Sequence, residues 1–97
     1  MRDAFAAAIT AAADRDDRVV LLTADVGNRL FDAFRERHPA RFVNCGVAET
    51  NMVGVAAGLA LDGLRPFAYS IAPFVVIRAL EQIRIDVCAH AAACRAR

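Results

Sequence analysis

The sequence has no tryptophan and no lysine, one tyrosine, three prolines, three cysteines and five glycines. Each scarcity excludes something. Cys45, Cys88 and Cys94 are odd in number and lack CxxC spacing. They cannot build a disulfide framework, so a reducing cytoplasm is the expected setting. His38 and His90 stand apart from any cysteine cluster. They are expected on the surface and at a helix end, with no metal site. Neither sign of charge prevails, since 12 basic residues face 11 acidic ones for a net charge of +1. Residues 1–48 hold seven arginines and seven acids, and residues 49–97 hold five and four. Without a basic half or stripe to track phosphates, nucleic acid is not an expected partner. The longest apolar stretches, 4–13, 52–61 and 66–77, fall well short of the roughly 20 residues that cross a bilayer. No membrane partner is expected either.

What is present is apolar and small. The hydrophobic share is 58%, against roughly 45–50% in ordinary globular chains. Much of the excess is alanine, which adds little burial free energy. With 97 residues the chain makes one domain at most, with a thin core.

Periodicity then orders the chain. Residues 2–14 predict a helix with Phe5, Ile9 and Ala12 on one stripe. Val19-Val20-Leu21-Leu22-Thr23 is a continuous aliphatic run, the mark of a strand buried on both faces. Residues 30–37 predict a short helix with Leu30, Phe31 and Phe34 inward, stopped near Pro39. A second strand is expected over 41–45, a second long helix from Glu49 to about Leu61, and a third strand over 65–70. Asp62-Gly63 ends the long helix. A last helix is expected from Pro73 towards Cys88, after which the alanine-rich residues 89–97 show no strand pattern.

Alternating strands and helices predict an α/β fold of three layers, a mainly parallel sheet with flanking helices. The loops after the three strands should then leave one carboxyl edge, where open α/β sheets take ligands. That edge would gather Asp25, Glu49, Ser70 and Phe74. From Met52 to Leu61 the long helix carries no charge, and a helix apolar all round needs cover all round. The cover is either another helix of the same domain or a partner.

The stretch Asn44-Cys45-Gly46-Val47-Ala48-Glu49-Thr50-Asn51-Met52, followed by Gly54, Gly58 and Leu59-Ala60, closely resembles the glycine–two residues–Glu–x–Asn–Met segment of the transketolase family. The strand and loop Val20-Leu21-Leu22-Thr23-Ala24-Asp25-Val26-Gly27 resemble the opening of that family's pyrimidine-binding domain. Pro66-Phe67-Ala68-Tyr69-Ser70-Ile71-Ala72-Pro73-Phe74 resembles the strand and aromatic loop that follow, and Gln82-Ile83-Arg84-Ile85-Asp86-Val87-Cys88 the next helix. Thr50 departs from the pattern, standing where glutamine is usual.

The resemblance covers residues 1–88 as part of a thiamine-diphosphate-binding, Rossmann-like domain and leaves 89–97 as an atypical tail. It implies that Glu49 is catalytic: it would hydrogen-bond N1′ of the cofactor's aminopyrimidine, letting the ring's amino nitrogen take the thiazolium proton. A glutamine could hold the ring but could not exchange that proton. Phe74 would stack on the pyrimidine, and Asp25 would lie in a loop near the cofactor. Each has a plainer reading. An acid in a helix's first turn complements the dipole, an apolar phenylalanine fills a core, and a loop aspartate binds loop amides.

The family's diphosphate- and Mg²⁺-binding domain, with its Gly-Asp-Gly segment, is not in this sequence. The expected activity is therefore two-carbon ketol transfer on a sugar phosphate or 2-oxo acid, in a thiamine-diphosphate site shared with a partner. That partner is a diphosphate-binding transketolase N-terminal subunit, which brings the Mg²⁺, or a second copy within a homo-oligomer. The alternative is a truncated or frame-shifted remnant without catalysis, acting at most as an oligomerising or binding module. A third reading is a small α/β binding module whose likeness to the family is fortuitous.

Overall fold

The computed structural model describes residues 2–26, 29–70, 82–83 and 95–96. Within them the chain forms α1 (Arg2–Arg15), β1 (Val19–Thr23), α2 (Asp32–Arg37), a 3₁₀ turn (Pro39–Arg41), β2 (Phe42–Asn44), α3 (Glu49–Leu61), β3 (Arg65–Tyr69) and β4 (Arg95–Ala96). The helix expected from Pro73 lies outside the described residues except at 82–83, and Phe74 lies outside them altogether.

The strands lie in the order β2-β1-β3-β4, and every pairing is parallel. β1 runs through the middle, with Leu21 beside Phe42 on one side and Phe67 on the other. All five of its residues are buried. Side chains alternate between faces along a strand, so β1 feeds two cores. Val19 and Leu21 join Ala6, Ile9 and Ala13 of α1 and Phe31 and Phe34 at α2. Val20, Leu22 and Ala24 join Met52 and Ala56 of α3 and Ala68 of β3. The sheet is thus sandwiched between α1 and α2 on one side and α3 on the other, the expected three-layer α/β arrangement.

β4 is a strand where the sequence has no strand pattern. Arg95 and Ala96 align with Phe67 and Ala68, so backbone pairing rather than side-chain patterning defines it. At the other margin β2 is three residues long, and Val43 is exposed.

Tertiary packing shifted two further expectations. α1 buries Ala6, Ile9, Thr10 and Ala13, a stripe turned from the expected Phe5, Ile9 and Ala12. Phe5 sits at its margin, stacked on Tyr69 at 5.9 Å and edge-on to Phe31 at 6.1 Å. The buried Thr10 hydroxyl is satisfied by donating to the Ala6 carbonyl at 2.8 Å. α2 begins at Asp32 rather than 30, with Phe31 as its N-cap at φ −108° and ψ 25° and buried among α1 and β1 residues. α3 ends in a Schellman motif: Leu64 N–H donates to the Leu59 carbonyl and Gly63 N–H to that of Ala60. Gly63, at φ 94°, supplies the left-handed residue this needs.

A polar knot fastens α1 to the start of β1 and to the turn before β2. The Arg41 guanidinium donates to the carbonyls of Ala13, Asp16 and Val19 and to His38 Nδ1. A guanidinium has no acceptor, so Nδ1 accepts and Nε2 carries the hydrogen donated to Asp14 at 2.7 Å. His38 is therefore a half-buried clasp rather than the surface histidine expected. Its bond to Asp14, helped by Arg37, holds that carboxyl below the usual range.

Candidate functional site

The chain leaves β1 towards α2 on one face of the sheet and β2 towards α3 on the other. The two loops part at the carboxyl edge, the position where ligands enter open α/β sheets. Three segments meet there: residues 24–26 after β1, 45–48 after β2, and Ser70 after β3.

Asn44, the last residue of β2, bridges the parting. Its Oδ1 accepts from the N–H of Asp25 at 3.1 Å and of Gly46 at 2.9 Å, and its Nδ2 donates to Asp25 Oδ1 at 3.1 Å. Asp25 has φ 58°, a region in which a short polar side chain is among the few tolerated. Gly46 has φ 73°, and space around it is open, so conformation rather than crowding calls for glycine. From Gly46 the chain makes a tight turn, with Ala48 N–H on the Gly46 carbonyl at 2.8 Å, and enters α3.

That turn delivers Glu49 as the first residue of α3, 5% exposed and on the helix face that also carries Met52, Val53, Ala56 and Ala57. Ser70 is also 5% exposed. It continues the side of β3 on which Ala68 meets Met52 and Ala56. Its hydroxyl is buried without a hydrogen-bond partner. Cys45 lies at the margin of the same cluster, and burial raises its thiol's pKa, keeping it protonated and poorly nucleophilic.

Asp25 borders the α2 side of the edge. It lines a cleft of roughly 450 Å³ with Thr23, Arg29, Asp32, Arg35, Phe42 and Asn44, beside α2, and neither Glu49 nor Ser70 lines that cleft. Arg35 is engaged there, its guanidinium 5.5 Å from the Phe42 ring centre. Among the described residues the edge therefore holds two polar stations. A carboxyl and a hydroxyl stand in an apolar setting on the α3 side, and a charged cleft stands on the α2 side. No described group of histidine, cysteine, aspartate and glutamate is arranged to hold a metal ion, and no described helix is long and apolar enough to cross a membrane.

Sequence reading singled out Asp25 and Glu49 but gave Asn44 no role. An asparagine two residues before a glycine is a turn signal that announces the Gly46 bond. Its reach to Asp25, 19 residues away, depends on β1 and β2 lying side by side.

The outward side of α3 stays bare. Val55 is 38% and Leu61 58% exposed, Val47 just before the helix is 74% exposed, and the position of Gly58 is open.

Residues 1–96 match the family described as "Transketolase, pyrimidine binding domain". Among curated proteins, the chain is 42% identical over 86 residues to an uncharacterized 33.6 kDa protein in the fasciation locus of Rhodococcoides fascians, covering 89% of this chain and 28% of that one. It is 39% identical over 88 residues to a 6-deoxy-6-sulfo-D-fructose transketolase subunit of Clostridium sp. (strain MSTE9), covering 90% and 27%. It superposes with a TM-score of 0.88 and 35% identity on a solved structure described as a split gene transketolase, inactive beta4 tetramer, over 98% of this chain and 32% of the other. The chain thus spans between a quarter and a third of the length of these relatives.

Proposed function

Because the chain belongs to the transketolase pyrimidine-binding domain family, we propose that it supplies the pyrimidine-binding wall of a shared thiamine-diphosphate site for two-carbon ketol transfer. The observation that carries this is the position of Glu49, a carboxyl buried at the carboxyl edge of a parallel sheet, on an apolar helix face. The residues suit the aminopyrimidine half of the cofactor. Its ring edge offers N–H groups and a nitrogen, which match an acceptor-rich carboxyl and the partnerless Ser70 hydroxyl, and its faces suit an apolar surround. When bound, the cofactor supplies the carbon nucleophile that takes up the two-carbon unit. Glu49 holds the ring and exchanges a proton with its N1′. Phe74 would stack on the ring, and Asp25 would shape the loop beside it.

The diphosphate and its Mg²⁺ would be held by a partner, a diphosphate-binding transketolase subunit, and the substrate would be a sugar phosphate or 2-oxo acid. A relative named as a transketolase subunit and a solved one described as a split gene transketolase support a division between chains. The outward side of α3, with Val55, Gly58 and Leu61, is the surface we assign to subunit contact. The reading is tested by co-expressing the chain with such a partner and comparing ketol transfer by the wild type and Glu49→Gln. Loss of transfer in the variant supports it. Equal rates remove Glu49 from the chemistry.

A second reading, an oligomerising module without catalysis, is favoured by one observation: a solved relative is described as an inactive beta4 tetramer. A self-assembled chain that gives no transfer with any diphosphate-binding partner would select it.

A further inference from the structure

A buried hydroxyl without a partner costs about 1–3 kcal/mol and is rare in folded proteins. Ser70 carries one, at the end of β3 and 5% exposed. No contact among the described residues calls for a hydroxyl there. Its neighbours on that side of the sheet, Ala68 and Ala24, are small and apolar, and an alanine at 70 would complete the same surface without penalty.

Ser70 shares its edge and its side of the sheet with Glu49, which opens α3 above the Met52 and Ala56 cluster. The charge of the surroundings limits what ligand fits. Among the described residues, α3 and the loop before it bear no arginine, whereas Arg29 and Arg35 line the cleft on the α2 side. A carboxyl and a hydroxyl together suit a flat, uncharged ring that offers N–H groups to both.

We infer that Ser70 is a second polar contact for an amino-substituted nitrogen heterocycle held against Glu49. The inference rests on the reading of Glu49 as the aminopyrimidine contact and adds to it a residue that fixes the ring's orientation. A single bond leaves a planar ring free to pivot, whereas two bonds along one edge define its plane. The unpaired hydroxyl is then a stability cost kept for binding.

The test uses the full chain and 4-amino-5-hydroxymethyl-2-methylpyrimidine, the ring half of thiamine without its diphosphate, so no partner is needed. Binding is followed by NMR titration, and thermal melting is recorded for each variant. The wild type is expected to bind, Ser70→Ala to bind about three- to tenfold more weakly, and Ser70→Thr, which keeps the hydroxyl, to stay within about twofold of the wild type. Ser70→Ala is also expected to melt no lower than the wild type, since it removes an unsatisfied group. Weaker binding together with a lower melting temperature marks the hydroxyl as structural and overturns the inference. Unchanged binding in Ser70→Ala, with binding lost in Glu49→Gln, overturns it while leaving the reading of Glu49 standing. No binding by the wild type removes both.

Discussion

Asn44 and Asp25 hold one another across the carboxyl ends of β2 and β1. Each gives the other one hydrogen bond at 3.1 Å, and the same Asn44 oxygen takes a third from Gly46 N–H at 2.9 Å. The clasp fixes two left-handed backbone positions, Asp25 in the loop after β1 and Gly46 at the turn that delivers Glu49. A side chain with no expected part in the chemistry thereby sets where the carboxyl begins.

Asn44→Ala removes all three bonds. At about 0.5–1.5 kcal/mol each, and at an exposed site, the loss should amount to about 1–3 kcal/mol in urea unfolding. Amide exchange should quicken at Asp25 and Gly46 well before it does in β1. Unchanged exchange at those two amides would show that the clasp does not hold the loops.

Acid should loosen the junction between α1 and β1. Asp16 binds Arg18 through side chain and backbone and also meets Arg65. These bonds, Arg18's first, lower its pKa from 3.8 to about 2. A carboxyl with a depressed folded-state pKa adds stability above its unfolded value, and that contribution is lost as pH falls through the folded one. Asp14 shifts in the same direction, chiefly through His38. The melting temperature should therefore drop between pH 4 and pH 2, and Asp16→Asn should flatten part of that slope while lowering the plateau above it. Both groups are solvent-facing, so the effect is expected to be small and to shrink in salt. Parallel pH profiles for wild type and variant would dismiss it.

Gly58 lies in the interior of α3 with open space where a Cβ would stand. In a lone chain, Gly58→Ala should raise stability by about 0.5–1 kcal/mol, because alanine loses less backbone entropy on entering a helix. Denaturant titration measures this directly. A loss of stability instead would mean that another backbone lies close against this side of α3.

The strongest elements were legible because local and tertiary preferences agree in them. Val19–Thr23 is aliphatic throughout, and the centre of a parallel sheet requires that. Glu49–Leu61 ends at Asp62-Gly63, and the chain turns there by a local motif. The parallel order, and with it the placing of Asp25, Glu49 and Ser70 at one edge, followed from alternation alone. What could not be read came from contacts between distant residues. Leu30 and Phe31 look helical by apolarity, yet Phe31 caps α2 from outside it and packs into the α1 and β1 core. Arg41 gives no sign in the sequence that it will gather three carbonyls, and His38 none that it will be held between a carboxylate and a guanidinium. Alternation likewise puts Asp25 and Glu49 at one edge, but it does not announce that Asp25 lines a cleft beside α2 while Glu49 is buried at the start of α3. Alternation fixes which end a residue occupies and leaves its side chain's direction to the loops.

The brevity of β2 also bears on how the molecule behaves in a crowded solution. A sheet margin with unpaired amides and carbonyls invites a foreign strand to dock and begin a fibril. Among the described residues only Phe42–Asn44 present themselves at this margin, with a 3₁₀ turn built on Pro39 ahead of them and the kink at Gly46 behind. An intruding chain would gain a bond or two before the template ran out.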